Sequence, residues 1–254
     1  MADMFRLAAI SAFADNYIWV LHDSRRAIAV DPGDAAPLQA WLSRQQLQLE
    51  AVWVTHHHAD HIGGLPALLA AWPQLAVYGP ADITGVNHPC RHGSTVPAFG
   101  CAAQVMAIPG HTANHLAFYL APHLFCGDTL FGAGCGRVFD GTLPDLFHSL
   151  RSLASLPPDT LCYPAHEYTL SNLAFAAAVE PANSAIATRL QRDRASRAAN
   201  LPTLPVMLAD ELATNPFLRT AEAAVCHAAK QYAGQEISAE EGIFATLRLW
   251  KNNF

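Results

Sequence analysis

A layered α/β domain followed by a helical addition is the fold class the sequence predicts, and three observations predict it. Up to about residue 165, short β-rich apolar runs alternate with Gly, Pro and Asp punctuation. From about Ser171 the texture shifts to Ala-rich, Arg-containing segments of helical length. The chain has 254 residues, 52% hydrophobic and 14% charged, enough apolar side chain for a sizeable core.

Taken in order, Leu7 to Ala14 is mostly apolar and ends in Ala12-Phe13-Ala14, a pattern a secretory leader could show. Asp3 offsets Arg6, however, and strand-favouring residues follow at once, so a first β-strand is expected. Further strands are expected at Tyr17 to Leu21, Ala27 to Val30, Ala51 to Val54, Ala76 to Tyr78, Gln104 to Ile108, Leu116 to Leu120, Leu124 to Cys126 and Thr160 to Tyr163. Leu65 to Trp72 and Asp145 to Leu156 read as helical interludes. Beyond them, Asn172 to Val179 and Asn183 to Ala199 read as helices, punctuated by Pro181, Pro202 and Pro205. Arg189, Arg192, Arg194 and Arg197 fall on the second of these. Asp193 interrupts them and no aromatic platform is interleaved, so a solvated helix face is expected rather than a nucleic-acid stripe.

Charge and composition exclude several classes. Fifteen Lys and Arg against 21 Asp and Glu give a net charge of -6, with no global basic field for nucleic acid or anionic lipid. No apolar run reaches the ~18 residues of a spanning helix. Six cysteines (Cys90, Cys101, Cys126, Cys135, Cys162, Cys226) are scattered without a CxxC, which argues against a disulfide framework or a thiolate zinc site and for a reducing, cytoplasmic compartment. A monomer is expected, with no nucleic-acid or membrane partner.

Chemistry concentrates after the apolar strand Ala51-Val52-Trp53-Val54. There follow Thr55-His56-His57-His58-Ala59-Asp60-His61, then Ile62-Gly63-Gly64 and a helical run. The carboxyl ends of strands are where α/β sheets gather ligands. In an extended segment His56 and His58 converge from alternate positions, while Asp60 and His61 at the helix entry face the other side. One loop can therefore serve two neighbouring divalent metals; the bland alternative is a His-rich loop that binds nothing. His111, Asp128 and His166 each lie just past a further expected strand. Singly, each would be an ordinary structural residue. Together they complete five histidines and two aspartates, a count that suits two metals.

The pattern HxHxDH, Gly110-His111-Thr112, Gly127-Asp128-Thr129 and a late His resembles the metallo-β-lactamase superfamily. Phe125-Cys126-Gly127-Asp128-Thr129-Leu130-Phe131, Gly134-Cys135-Gly136-Arg137, His166-Glu167-Tyr168-Thr169 and Asn215-Pro216-Phe217-Leu218-Arg219 look like glyoxalase II, the hydroxyacylglutathione hydrolases. The likeness runs from Asn16-Tyr17 to the last residue. It implies a four-layer αβ/βα sandwich of two mixed sheets over residues 1–165, carrying the metals, and a helical glutathione-substrate-binding domain over residues 166–254.

By the same resemblance His56, His58 and His111 bind one metal, Asp60, His61 and His166 the other, and Asp128 bridges. Zinc is the default ion, with iron or manganese as alternatives. The implied reaction is hydrolysis of S-D-lactoylglutathione to D-lactate and glutathione, the second step of methylglyoxal detoxification, by a metal-bridging hydroxide that Asp60 orients. The thiolate leaving group, with a free pKa of about 8.5, needs no strong general acid. His57 is the variable, non-ligating position, and His115 a neighbouring or packing residue; Thr55 and Thr112 are candidates for orienting ligands. Cys135 reads as packing.

Glutathione contacts in the family fall here on Arg137, Tyr168, Arg248 and Lys251, of which the three cations suit the two carboxylates of a glutathionyl group. Arg137 stands where a Lys is usual, and Phe139 where a Tyr is frequent. Three rival readings remain at this point: a one-iron persulfide dioxygenase, another hydrolase of the superfamily acting on lactones, β-lactams or RNA, and a metal-storing protein without turnover. Asp60, His61 and Arg248 favour the thioester hydrolase over the first, and the acidic balance argues against RNA.

Overall fold

The computed structural model describes residues 5–254. Its first half runs β1 (Arg6–Ala12), β2 (Asn16–His22), β3 (Arg26–Val30), α1 (Ala35–Gln45), β4 (Gln48–Trp53), α2 (Ala59–Ile62), α3 (Leu65–Ala71), β5 (Ala76–Gly79), β6 (His88–Pro89), β7 (Thr95–Ala98), β8 (Cys101–Ala107), β9 (Leu116–Leu120) and β10 (His123–Gly127). The second half runs β11 (Leu130–Phe131), β12 (Gly134–Cys135), α4 (Leu143–Ala154), β13 (Leu161–Pro164), α5 (Thr169–Val179), α6 (Ser184–Ala198), β14 (Val206–Met207), α7 (Leu208–Thr214), a 3-10 turn (Pro216–Leu218), α8 (Ala223–Ala233) and α9 (Glu240–Asn252).

One six-stranded sheet has the order β1-β2-β3-β4-β5-β6. Its first three strands pair antiparallel and the rest parallel, so the sheet is mixed. A second sheet has the order β14-β13-β10-β9-β8-β7, and β11 and β12 form a small hairpin. The apolar run that begins at Leu7 is a strand, paired with β2 from Arg6↔His22 to Ala12↔Asn16.

By its internal contacts the chain divides into two units, Met1–Ala107 with Asn114–Gly127, and Ile108–Ala113 with Asp128–Phe254. In the first, Leu38 and Leu42 of α1 and Leu65 and Leu68 of α3 bury themselves with Val52, Val54 and Val77 of the β4–β5 region. Full burial of each such side chain stabilises by about 1.5–3 kcal/mol. Trp53, fully buried, stacks on Phe118 at 5.1 Å and meets the edge of Phe125 at 5.9 Å.

Helix α1 is absent from the sequence expectation. Asp31-Pro32-Gly33-Asp34 followed by Pro37 reads as turn chemistry, yet Pro37 falls in the first helical turn, where its missing N–H has no intrahelical partner to lose. The Asp34 side chain caps the start by accepting from the Ala36 N–H at 2.9 Å.

In the second unit Phe147, Phe175, Phe217 and Phe244 form a buried aromatic group with ring centroids 5.6–5.9 Å apart in the sequence 147–244–217–175. The expected solvated face of α6 needs correcting at Arg189 and Asp193, which are buried at 3% and 2% exposure beside Ile186. Burying them is tolerable because Arg189 lies 3.3 Å from Asp193 and 2.7 Å from the wholly buried Glu211. Arg192 and Arg194 do face solvent. No helix among the described residues is long and apolar enough to cross a membrane.

Candidate metal centre

Strand β4 ends at Trp53, and the chain continues extended through Thr55, His56, His57 and His58 before α2 begins. His56 and His61 are fully buried. His56 Nε2 and His58 Nδ1 lie 3.0 Å apart. Two nitrogens each about 2.0–2.1 Å from one tetrahedral ion would sit roughly 3.3 Å apart, so the pair already has the separation of two ligands on one metal. His61 Nε2 is 3.5 Å from Asp60 Oδ2, a second pair aimed at common ground.

Two residues not singled out from the sequence hold this loop. Asp31, buried at the end of β3, accepts from the Thr55 N–H and hydroxyl, both at 2.7 Å, and its Oδ2 lies 3.0 Å from His61 Nδ1. Asn16, at the start of β2, donates its Nδ2 hydrogen to Asp60 Oδ2 at 3.0 Å. The available signal was positional: Asp31 follows β3 as Asp128 follows β10. The approach is close, since a Cβ on Gly33 would come 1.8 Å from the Asp60 carbonyl oxygen. Thr55 also places its hydroxyl 3.0 Å from His56 Nδ1. His115 is buried and stacks on His56 at 4.6 Å with 17° between the planes.

In the second unit His111, Asp128 and His166 are all buried. Asp128 Oδ2 lies 3.5 Å from His111 Nε2 and 3.4 Å from His166 Nε2, so one carboxylate oxygen is presented to two imidazoles. His111 Nδ1 is 2.7 Å from the Arg137 carbonyl oxygen, which fixes the tautomer that leaves a lone pair on Nε2. The His166 ring stacks on Tyr168 at 4.8 Å and 9°.

Ligand atoms of His56, His58, His111 and Asp128 lie within 4.8 Å of one another, and those of Asp60, His61 and His166 do likewise. The result is a buried His/Asp cluster with two metal-binding groups, five imidazoles and two carboxylates in all. That donor set fits divalent zinc, iron or manganese and does not choose sharply among them. His57 and His115 belong to neither group.

Arg137 is exposed, Tyr168 and Lys251 are half-buried, and Arg248 is 5% exposed. Arg248 Nη1 donates to the Cys135 carbonyl at 2.8 Å, and its guanidinium lies 5.0 Å over Phe217. Burial, then the charges of Arg248 and Arg137, push the Lys251 ammonium below the usual lysine range. Burial pushes the Cys135 thiol up, away from the thiolate a nucleophile would need.

Residues 13–89 match the metallo-beta-lactamase superfamily model, and residues 167–254 match the model of the hydroxyacylglutathione hydrolase C-terminus. A hydroxyacylglutathione hydrolase of Dechloromonas aromatica (strain RCB) is 50% identical, over 99% of this chain and the whole of the relative. Among solved structures, ETHE1 from Myxococcus xanthus is 34% identical with a TM-score of 0.57, over 65% of this chain and 76% of that one. TTHA1623 in a di-iron-bound form is 27% identical with a TM-score of 0.53, over 63% of this chain and 91% of that one. Two mixed sheets flanked by helices, with a helical C-terminal extension and the His/Asp cluster, define an αβ/βα metal-dependent hydrolase of the metallo-β-lactamase class. Within that class, the chain belongs to the hydroxyacylglutathione hydrolase, or glyoxalase II, family.

Proposed function

We propose that this enzyme hydrolyses 2-hydroxyacylglutathione thioesters, S-D-lactoylglutathione among them, to the 2-hydroxy acid and glutathione, as the second step of methylglyoxal detoxification. The observation that carries the reading is the gathering of seven ligand residues into two groups, in a chain similar from end to end to a hydroxyacylglutathione hydrolase. His56, His58 and His111 would hold one ion and Asp60, His61 and His166 the other, with Asp128 available to both. Zinc is the proposed ion, with iron or manganese as the alternatives. Divalent ions held there polarise a carbonyl and acidify a water by many pKa units.

The chain's own groups do the rest. Asn16 holds one oxygen of Asp60, so that carboxylate has a fixed lone pair with which to accept the hydrogen of the attacking water. Asp31 and the Arg137 carbonyl keep His61 and His111 in the ligating tautomer. The leaving thiolate departs without a dedicated acid. Residues 166–254 form the proposed substrate-binding domain, and Arg137, Tyr168, Arg248 and Lys251 the proposed glutathione contacts. Their mutual proximity supports this: Arg248 and Arg137 both act on the charge of Lys251. The six free cysteines support a reducing, cytoplasmic compartment, and the acidic balance the lack of a nucleic-acid or anionic-membrane partner; a monomer is the proposed state.

A thioester hydrolysis assay tests the proposal. Activity is expected to disappear with chelator and with Asp60→Asn, and to survive His57→Ala. Full activity in the chelated, metal-free protein would overturn it.

A further inference from the structure

Between Asp128 and Arg137 the chain turns through the hairpin of β11 and β12, two residues on each side. So short a hairpin does not hold itself. It is nevertheless buried from Leu130 to Gly136, and a buried backbone needs partners for its polar groups. Side chains of the helical segment supply them. Asn172 donates to the Gly132 carbonyl at 3.0 Å, Asn215 to the Gly134 carbonyl at 2.9 Å, and Arg248 to the Cys135 carbonyl at 2.8 Å.

A further backbone group is the Ala133 N–H, at a residue whose φ of 54° lies in the left-handed region. It donates to both carboxylate oxygens of Glu211, at 3.0 and 2.9 Å. Glu211 is fully buried; Asn215 Nδ2 lies 2.8 Å from its Oε2, and Arg189 2.7 Å from its Oε1. The Arg189–Glu211 pair therefore fixes the tip directly, through Ala133, and also aims the Asn215 amide at Gly134. Downstream, the hairpin runs into the backbone that packs on His111. A Cβ on Gly136 would lie 2.9 Å from His111 Nδ1 and 2.1 Å from the Asp128 carbonyl oxygen, and the next carbonyl, of Arg137, is the one at His111 Nδ1.

We infer that Glu211, held by Arg189, is a positioning residue: through Ala133 and the hairpin it sets the Arg137 carbonyl that orients His111, and so sets the affinity of the ion held by His56, His58 and His111. The inference rests on the reading of His111 as a ligand and adds a control on it from the helical segment.

The test is metal content per chain after dialysis against a weak chelator, with KM and kcat measured alongside. Removing Glu211 alone leaves the buried Arg189 with Asp193 as its one remaining carboxylate partner, so the variant of choice is Arg189→Met with Glu211→Met, which keeps the volume apolar while leaving the Ala133 N–H without its acceptor. Its affinity for one ion is expected to fall about 10-fold or more, the usual scale for losing an outer partner of a metal-bound histidine. Wild type then retains two ions and the variant about one, and adding His111→Ala costs no further ion. Leu38→Ala, a buried core change in the first unit away from the hairpin, keeps both. Should the double variant lack a cooperative melt, Arg189→Leu with Glu211→Leu, which also removes the acceptor and both charges, is read in its place.

Equal metal retention and kinetics in wild type and the Glu211 variant would overturn the inference alone. A wild type that retains no ion, unaffected by His111→Ala, would overturn the metal reading and the inference with it.

Discussion

Asp31 Oδ2 lies 3.0 Å from His61 Nδ1, and the same carboxylate takes both the backbone N–H and the hydroxyl of Thr55. A single buried acid thus orients the His61 imidazole and anchors the extended segment that leads to His56 and His58.

Asp31→Asn is expected to weaken binding of the ion proposed at Asp60, His61 and His166. An amide nitrogen facing His61 Nδ1 is a donor facing a donor, unless the ring moves its proton to Nε2 and gives up the lone pair used for metal. A loss of about 10–100-fold in affinity follows from the usual weight of such partners. Competition against a chromogenic chelator measures it, and unchanged affinity would show the contact to be incidental.

Arg248→Ala should raise KM for a glutathione thioester while leaving turnover within a few fold. Its guanidinium holds the Cys135 carbonyl, which precedes Arg137, and adds charge beside Lys251. Steady-state kinetics on the metal-replete variant decide; an unchanged KM counts against the pocket.

Affinity for the anionic substrate should weaken with rising pH below the ordinary lysine value of 10.5, because Lys251 is lowered by burial and by the charges of Arg248 and Arg137. Its attraction for a carboxylate is present while the ammonium is protonated and is lost as pH passes through that lowered pKa. A KM–pH profile in which Lys251→Met abolishes the alkaline rise is the expected result.

Leu38→Ala in α1 should destabilise the chain by about 2–5 kcal/mol, the range for emptying a fully buried leucine site. Leu38 is wholly buried in the core of the first unit. Denaturant titration reads the loss, and a change under about 0.5 kcal/mol would mean that the helix contributes little there.

What the sequence disclosed and what it withheld divide by range. The run from Thr55 to His61 is local, so its placement after an apolar strand could be read from spacing, and so could the strands on either side. Asp31 could not, because its partners Thr55 and His61 stand 24 and 30 residues away and nothing in Asp31-Pro32-Gly33 distinguishes a ligand's support from a turn. Helix α1 was hidden by the same turn-like residues together with Pro37. Arg189 and Asp193 looked like surface charge because the acid that makes their burial tolerable, Glu211, arrives from a different helix. Composition counts charges, whereas burial depends on which of them meet.

Trp53 ends β4, two residues before Thr55, in a cage made by Phe118 and Phe125. Its indole N–H has no hydrogen-bond acceptor among the described residues. An indole so dry and unbonded fluoresces at the blue edge of the tryptophan range. With the other four tryptophans replaced by phenylalanine, the chain would carry its own optical gauge of whether the strand behind the histidine loop is intact.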